Sequence, residues 1–426
     1  MLGGLFSLIA FNLADTYFVA KLGTRELAAA SFTFPVTTIL IGISMALSTA
    51  TVAVVSQTIG RGQQQAVRRI ASDSVVLSFF VVLVCAGAGI ATIDPLFRLL
   101  GATDETLPLI EDYMTIWYLG IAFLVVPMVT NAVIRSTGDT RVPALIMIAA
   151  TGLNFILDPI MIFGWFGFPR MELKGAALAT VIARACTMVA SLAILHFRDR
   201  LLDFRPPRLR DVVESWKKIS CIALPVAATN VMQPLGLGLV TRLAADYGPT
   251  AVAAWGAGSR VSAFMLIPVY ALCSALVPFV GQNWGARLFS RVYEARDKAY
   301  LFAAVWGVIS YGVLQLVAEP VALLFSEETG VVEEIELYLQ IVPVGFALVG
   351  IFSVNEETLN SISQPVTAAL MTLVQMFVLL VPLAYAGSQL LQFTGLLMGT
   401  AAADIASGLV GIAIVRWTCR RCQAEA

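Results

Sequence analysis

Twelve long apolar stretches, each of roughly 18–28 residues, recur along this chain of 426 residues. An α-helix needs about 20 apolar residues to cross the hydrocarbon core of a bilayer. Hydrophobic residues make up 58% of the chain and charged residues only 13%, more apolar surface than a water-soluble fold can bury. We therefore predict an all-α polytopic membrane protein with twelve transmembrane helices. The predicted spans are 2–20, 32–59, 72–98, 113–136, 142–165, 174–196, 218–243, 253–282, 297–321, 337–361, 366–387 and 393–417.

Several function classes are disfavoured by the charged and metal-binding residues. The formal net charge is −1, so no basic field is available to recruit nucleic acid. His196 is the single histidine, and Cys419 and Cys422 form an isolated CxxC pair where a zinc site needs four ligands. Zinc-protease, P-loop and serine-hydrolase motifs are absent from the sequence. We expect a protein that is not an enzyme and has no cofactor or bound metal.

The orientation in the membrane follows from the distribution of basic residues. If twelve spans are threaded in order, nineteen of the 27 Lys and Arg residues fall on the side that holds both termini. Six fall on the opposite side, and Arg184 and Arg260 lie within spans. The positive-inside rule then predicts a multi-pass protein of the plasma (inner) membrane with both termini in the cytoplasm.

An internal repeat divides the chain in two. Residues 46–60 and 271–285 share seven of fifteen residues, and the offset of 225 residues also pairs Pro95 with Pro320 and Tyr113 with Tyr338. Each repeat covers six predicted spans, so both halves enter the membrane in the same direction. We predict two six-helix bundles, 1–205 and 206–426, related by a pseudo-twofold axis along the membrane normal.

The repeat also predicts a short first helix. Pro225 lies near the start of the seventh span, and its equivalent would precede Met1. The first span therefore has fewer residues than its counterpart, and we expect the first helix to lack its initial turns.

Two acidic residues within predicted spans are candidates for ion binding. Asp15 lies three residues after Asn12 in the first span, and Asp158 lies four residues after Asn154 in the fifth, so each acid shares a helix face with an amide. Pro159 follows Asp158 and removes a helical hydrogen bond beside it. Charge inside a bilayer is costly and marks function or pairing. If the two spans adjoin, the acids can hold one proton, or Na+ with amide and hydroxyl oxygens.

The second repeat lacks these acids. Val240 is equivalent to Asp15, and Leu383 is equivalent to Asp158. A cation site would therefore belong to the first half only. Glu356 and Glu357 in the tenth span are weaker candidates for an acid that faces a substrate cleft, because adjacent helical residues point about 100° apart. We expect Arg184, Arg260 and Asp404 to form structural pairs.

An ordered set of segments resembles the multidrug and toxic compound extrusion (MATE) transporters. The segments are NLADTYFVAKLGTRELAA, IRSTGDTRVP, LNFILDPIMIFG and KGAALATVIAR, and Asp15 with Asn154 and Asp158 is most similar to the prokaryotic DinF-like branch. The resemblance implies exchange of H+ or Na+ for organic cations and other amphipathic drugs. It also implies that five residues take part in coupling: Asp15, Asp158, Asn154, Tyr113 and Thr180.

The leading hypothesis is therefore a cation-coupled multidrug efflux antiporter that works by alternating access, acting as a monomer. A broad substrate range favours re-packable aromatic and Met side chains in the substrate cleft. The candidates for this cleft are Phe34, Met45, Phe155, Met161, Met232, Met265 and Tyr270. The alternative is a flippase for lipid-linked sugars of the same superfamily, which the scarcity of basic residues within spans disfavours. A membrane enzyme or a receptor is disfavoured by the missing motifs and by the repeat.

Overall fold

A computed structural model describes residues 3–4, 6–7, 18, 24–104, 106–203 and 208–425. These residues are almost entirely helical and include no β-strand. In a bilayer, a helix satisfies its own backbone hydrogen bonds, which is why apolar sequences of this length become helices. The contacts within the chain separate two units, Met1–Ala223 (unit 1) and Leu224–Ala426 (unit 2).

Unit 1 contains six described helices and the start of a seventh. They are α1 (Thr24–Gly60), α2 (Gln64–Leu99), α3 (Leu107–Leu119), α4 (Ala122–Ser136), α5 (Arg141–Phe163), α6 (Glu172–Ala193) and the first turns of α7 (Leu209–Ala245). Helix α5 packs most extensively against α6, and α1 packs against α4. A left-handed Gly164 with φ 78° ends α5 and turns the chain towards α6.

Unit 2 contains the rest of α7 and seven further helices. They are α8 (Pro249–Met265), α9 (Ile267–Gly285), α10 (Phe289–Leu323), α11 (Thr329–Ile341), α12 (Phe346–Ser361), α13 (Pro365–Leu373) and α14 (Val381–Glu425). Its apolar core includes Trp255, Tyr338 and Phe346, which are at most 4% exposed. A π-helical segment, Val374–Leu380, joins α13 to α14.

The boundary between the units falls within α7, whereas the sequence predicts it after residue 205. The start of α7 is held on unit 1 by Trp216, whose Nε1–H donates to the backbone oxygen of Asp73 at 3.0 Å. Its ring also lies against Phe80, with 5.5 Å between the ring centroids. These contacts assign the first turns of α7 to the helices that precede them.

Within the described residues, nine helices are long and apolar enough to cross a membrane, or ten when the bent pair α8 and α9 counts as one span. The predicted first span, 2–20, lies almost wholly outside the described residues. The last two predicted spans lie in a single run, Pro365–Ala424, which breaks at Leu391 and Gln392. Gln392 there adopts a left-handed φ of 54°, between the two expected spans. The remaining predicted spans each correspond to a helix or helix pair.

Helix boundaries repeat with the offset that the sequence predicts. Helix α1 begins at Thr24 and α8 at Pro249, and α1 ends at Gly60 where α9 ends at Gly285, each pair 225 residues apart. Helices α2 and α10 begin at Gln64 and Phe289, again 225 apart. The two units are thus built on the same order of helices.

Candidate cation site in unit 1

Asp158 and Asn154 lie on one face of α5, deep inside unit 1. Both residues are 0% exposed. Four residues separate them, about one helical turn, so the Asn154 Nδ2 atom donates to Asp158 Oδ1 at 3.0 Å. The predicted pairing of amide and carboxylate on this helix is present.

Thr180 joins this pair from α6. The Asn154 Nδ2 atom lies 3.5 Å from Thr180 Oγ1, and Thr180 is only 7% exposed. The close approach of α5 and α6 depends on Gly175, because a Cβ atom there would lie 2.4 Å from the backbone oxygen of Met161. A small residue at this crossing brings the two helices close enough for Thr180 to reach Asn154.

The two other residues predicted to take part in coupling are Tyr113 and Asp15. Tyr113 is half-buried on α3, a helix that packs against α6. Asp15 lies outside the described residues. Two described residues of the same segment contact α5: the Ser7 backbone oxygen accepts from Thr151 Oγ1 at 3.1 Å, and the Phe18 ring centroid lies 5.7 Å from that of Phe155.

The site offers oxygen atoms of three chemical kinds in a buried setting. They are the Asp158 carboxylate, the Asn154 amide oxygen and the Thr180 hydroxyl, and the Asn154 oxygen has no hydrogen-bond partner among the described residues. Oxygen ligands of this kind suit a hard cation. The cluster can therefore gain or lose one positive charge.

Pro159 gives the site a means of changing the shape of α5. Proline lacks a backbone N–H, so Pro159 cannot donate the helical hydrogen bond to the Phe155 backbone oxygen. This missing bond lies one residue after Asp158. A helix bends at lower cost where such a bond is missing. A change of charge at Asp158 can therefore be coupled to the bend of α5.

Unit 2 has no equivalent of this site at the corresponding positions. Val240 is fully buried in its apolar core, and Leu383 packs against the same core. The carboxylates of unit 2 lie elsewhere. Glu356 and Glu357 are half-buried on α12.

The predicted cleft residues differ in exposure. Phe34, Met45, Phe155 and Tyr270 are exposed, each between 41% and 56%. Met232 and Met265 are half-buried, and the backbone oxygen of Met265 accepts from Trp306 Nε1 at 2.8 Å. Met161 is buried at 7%, because α5 and α6 meet at its backbone.

The expected structural pairs are not found for two of the three residues. Asp404 is half-buried beside Gly345, where an added Cβ would lie 2.7 Å from the Asp404 Cβ. Arg260 is exposed on α8. Among the described residues neither side chain forms an ion pair or a hydrogen bond. The spacing of residues along the sequence does not predict that Arg260 is exposed.

Comparison with known proteins identifies the family of this chain. The model of the MatE family matches residues 2–160 and 225–386, which is most of the chain and covers both repeats. This chain belongs to the MatE family. The predicted resemblance is therefore confirmed, while membership of the DinF-like branch stays a prediction.

Relatives of this MatE chain include transporters of different named substrates. The FAD transporter of Shewanella oneidensis is 37% identical over 420 residues, which cover 99% of this chain and 92% of the relative. The multidrug export protein MepA of Staphylococcus aureus is 24% identical over 417 residues, which cover 97% of this chain and 91% of the relative. These relatives are membrane transporters.

Among solved structures, the MATE transporter VcmN of Vibrio cholerae in its bent form matches with a TM-score of 0.95. It is 28% identical, and the match covers 99% of this chain and 95% of VcmN. This agreement confirms the predicted fold class, an all-α multi-pass membrane protein of twelve spans.

Proposed function

We propose that this MatE protein is an exporter driven by a cation gradient, with Asp158, Asn154 and Thr180 of unit 1 as the place where H+ or Na+ binds. The observation that carries the proposal is the fully buried carboxylate of Asp158, bonded to Asn154 one turn away. Burial of a carboxylate within the membrane is costly, and it is retained in transporters where a proton or cation is carried. Asp15 completes the site in this proposal.

The coupling step follows from the position of Pro159. With the site empty and Asp158 charged, the carboxylate needs the Asn154 amide proton as a hydrogen-bond donor. Loading with a proton or Na+ neutralises the charge and changes that requirement. Because α5 lacks a hydrogen bond beside Asp158, loading shifts the bend of α5 and the balance between the inward-open and outward-open states.

For the substrate we propose FAD. The support is the identity of 37% with the FAD transporter of Shewanella oneidensis, compared with 24% for MepA over an almost equal length. FAD is an anionic dinucleotide with two aromatic ring systems, so a chain that exports it needs exposed aromatic side chains and a basic group along the pathway. Exposed Phe34, Phe155 and Tyr270 are such aromatic side chains.

Organic cations and amphipathic drugs are the second candidate. MepA supports this alternative, because its name describes multidrug export. Exposed Met45 and half-buried Met232 and Met265 are flexible side chains of the kind that adapt to many ligands. Both substrates require the same cation site, and a transport assay separates them.

We further propose that the protein acts as a monomer in the plasma (inner) membrane, with both termini in the cytoplasm. The support is the excess of Lys and Arg on the side of the termini. Export out of the cell then runs from the Arg-rich side to the other side.

The test is efflux of FAD from proteoliposomes under an imposed pH gradient and, separately, under a Na+ gradient. We expect one gradient to drive efflux by the parent protein, and Asp158→Asn to abolish the driven component, about a hundredfold or more, because the amide cannot carry the charge. Asp94→Asn is the matched control, since Asp94 is an exposed acid of the same unit, paired with Arg98.

Three outcomes decide the proposal. Driven efflux by Asp158→Asn equal to that of the parent would disprove the role of the buried carboxylate. Efflux of ethidium, an organic cation, but not of FAD by the parent would replace FAD by organic cations as the proposed substrate. If neither compound moves under either gradient, the flippase alternative becomes the better description.

A further inference from the structure

We propose that Arg260 binds the phosphate groups of the exported substrate within the thickness of the membrane. This inference deepens the proposed function, because it rests on FAD as the substrate. It concerns unit 2 and a residue that the cation site does not use. Four observations on Arg260 support the inference: its place within a span, its exposure, its lack of a charge partner and the helix break beside it.

Arg260 lies well inside a membrane-spanning segment. Helices α8 and α9 together form one broken span, Pro249–Gly285. Arg260 is eleven residues after its start, about 16 Å along the helix axis, and seven residues after the start of the predicted span 253–282. It is the one charged residue in the sequence from 247 to 286.

Its side chain points away from the other helices of unit 2. One face of α8 is buried: Trp255 packs its ring 5.6 Å from that of Tyr338, and Gly258 lies directly against the same tyrosine. The other face is open. Arg260 and Phe264 are exposed on it, and Gly256, one turn earlier, has open space around it.

An arginine on an open face within a bilayer needs water or an anion beside it. Contact of a charged guanidinium with hydrocarbon is unfavourable, so intramembrane arginines face protein or a water-filled cavity. Among the described residues, Arg260 has no ion pair and no hydrogen bond. The open face of α8 is therefore a water-lined surface that carries one uncompensated positive charge.

The helix is also broken beside this charge. The chain bends by 46° between α8 and α9, five to seven residues after Arg260. In unit 1 the equivalent helix, α1, is continuous, and Pro35 occupies the position equivalent to Arg260. Discontinuous helices in transporters form binding sites near the middle of the membrane. Unit 2 thus combines a break and a basic residue at a place where unit 1 has neither.

The planar guanidinium group selects the chemistry of the ligand. Arginine binds phosphate through two parallel hydrogen bonds, and it repels organic cations. Exposed Phe264, one turn away on the same face, offers a ring for an aromatic base. A pyrophosphate that joins two aromatic groups, as in FAD, satisfies both side chains. A lipid headgroup offers the same phosphate chemistry from another source.

The test compares FAD, FMN and riboflavin, which carry two, one and no phosphates, as substrates of the parent, Arg260→Gln and Arg260→Lys. We expect Arg260→Gln to raise the KM for FAD about tenfold or more and to leave riboflavin unchanged. Arg260→Lys keeps the charge and is expected to retain part of the preference. Arg242→Gln, an exposed basic residue at the end of α7, is the matched control and should leave all three unchanged.

A binding measurement separates failure of this inference from failure of the proposed function. Thermal unfolding of the purified protein is followed with inorganic pyrophosphate. Stabilisation of the parent but not of Arg260→Gln, without FAD transport, would leave the phosphate site standing and remove FAD as the substrate. FAD transport with the same KM in Arg260→Gln would overturn the inference and leave the proposed function standing.

The lipid alternative has its own outcome. The same unfolding measurement is made in vesicles with increasing fractions of phosphatidylglycerol. A stabilisation by this lipid that depends on Arg260, with an unchanged KM for FAD, would assign the arginine to a lipid headgroup and overturn the inference. Arg260→Lys also serves as the folding control, because it preserves the charge and most of the side-chain length.

Discussion

At the scale of single residues, burial distinguishes the charges of this protein. Asp158 is fully buried within α5 and bonded to Asn154, while Arg260 is exposed on α8 without a partner among the described residues. The sequence presents both simply as charges within apolar stretches. Because their surroundings differ, we propose opposite uses for them: Asp158 for a cation and Arg260 for an anion.

Asp139 illustrates a charge with a structural use outside the membrane-spanning segments. Burial acts to raise its pKa, but hydrogen bonds from the Val142 backbone N–H, from Arg198 and from the Arg141 backbone N–H together lower the pKa below its usual value. The Asp139 carboxylate then stabilises the fold at pH values above its ordinary pKa. This stabilisation is lost as the pH falls through the lowered pKa of the folded state.

We therefore expect Asp139→Asn to lower the melting temperature at neutral pH and to have a smaller effect at acidic pH, once the carboxylate of the parent takes up a proton. Melting curves of the purified variant and parent between those pH values test this. Asp104→Asn, which removes a highly exposed acid, is the control. A loss of stability that is the same at every pH would contradict the assignment.

At the scale of helices, close contacts between backbones position the site. Helices α5 and α6 meet at Gly175, and this contact allows Thr180 to reach Asn154. Helix α5 also ends where it does because Gly164 adopts a left-handed conformation. Small residues at helix crossings are the usual means of close packing in membranes, where burial from water contributes little.

Gly175→Ala is expected to destabilise unit 1 by about 1–3 kcal/mol, because the new methyl group would meet the backbone oxygen of Met161. It should also weaken coupled transport, since separation of α5 from α6 moves Thr180 away from Asn154. Thermal unfolding and driven efflux are both measured.

The matched control is Gly152→Ala on α5, the other helix of this crossing, where nothing lies within 4 Å of an added Cβ. It should be neutral or slightly stabilising because alanine favours the helix. Equal melting temperatures for the two alanine variants would refute the close-contact argument.

At the scale of the whole molecule, the internal repeat gives the chain two units with the same order of helices and different polar residues. Unit 1 has the buried Asp158, for which unit 2 has Leu383. Unit 2 has the exposed Arg260, for which unit 1 has Pro35. Duplicated helices supply the common frame, and a few substitutions give each unit its own chemistry.

The orientation of this frame is testable by cysteine labelling in a variant with its six native cysteines replaced. We expect Gln63→Cys, between α1 and α2, to react with an impermeant maleimide only from the cytoplasmic side, and Thr103→Cys, between α2 and α3, only from outside. The reason is the excess of Lys and Arg on the side of the termini. Intact right-side-out and inside-out vesicles distinguish the sides, and the reverse labelling would invert the topology.

The sequence by itself determined the fold class, the repeat and the pairing of Asn154 with Asp158. These features depend on local spacing: a span needs a fixed number of apolar residues, and residues four apart share a helix face. The offset of 225 residues predicted from identities is the same offset that separates the helix boundaries. Asp15 was predicted in the same way, and it lies outside the described residues.

Only the tertiary structure decided which side chains meet across helices and which are left exposed. It brings Thr180 to Asn154 from another helix, buries Met161 and leaves Arg260 exposed rather than paired as expected. It also assigns the first turns of α7 to unit 1 through Trp216. The physical reason is that the rotation of a helix about its axis is set by its neighbours. In a span that is apolar on all sides, the sequence carries no stripe that reveals this rotation.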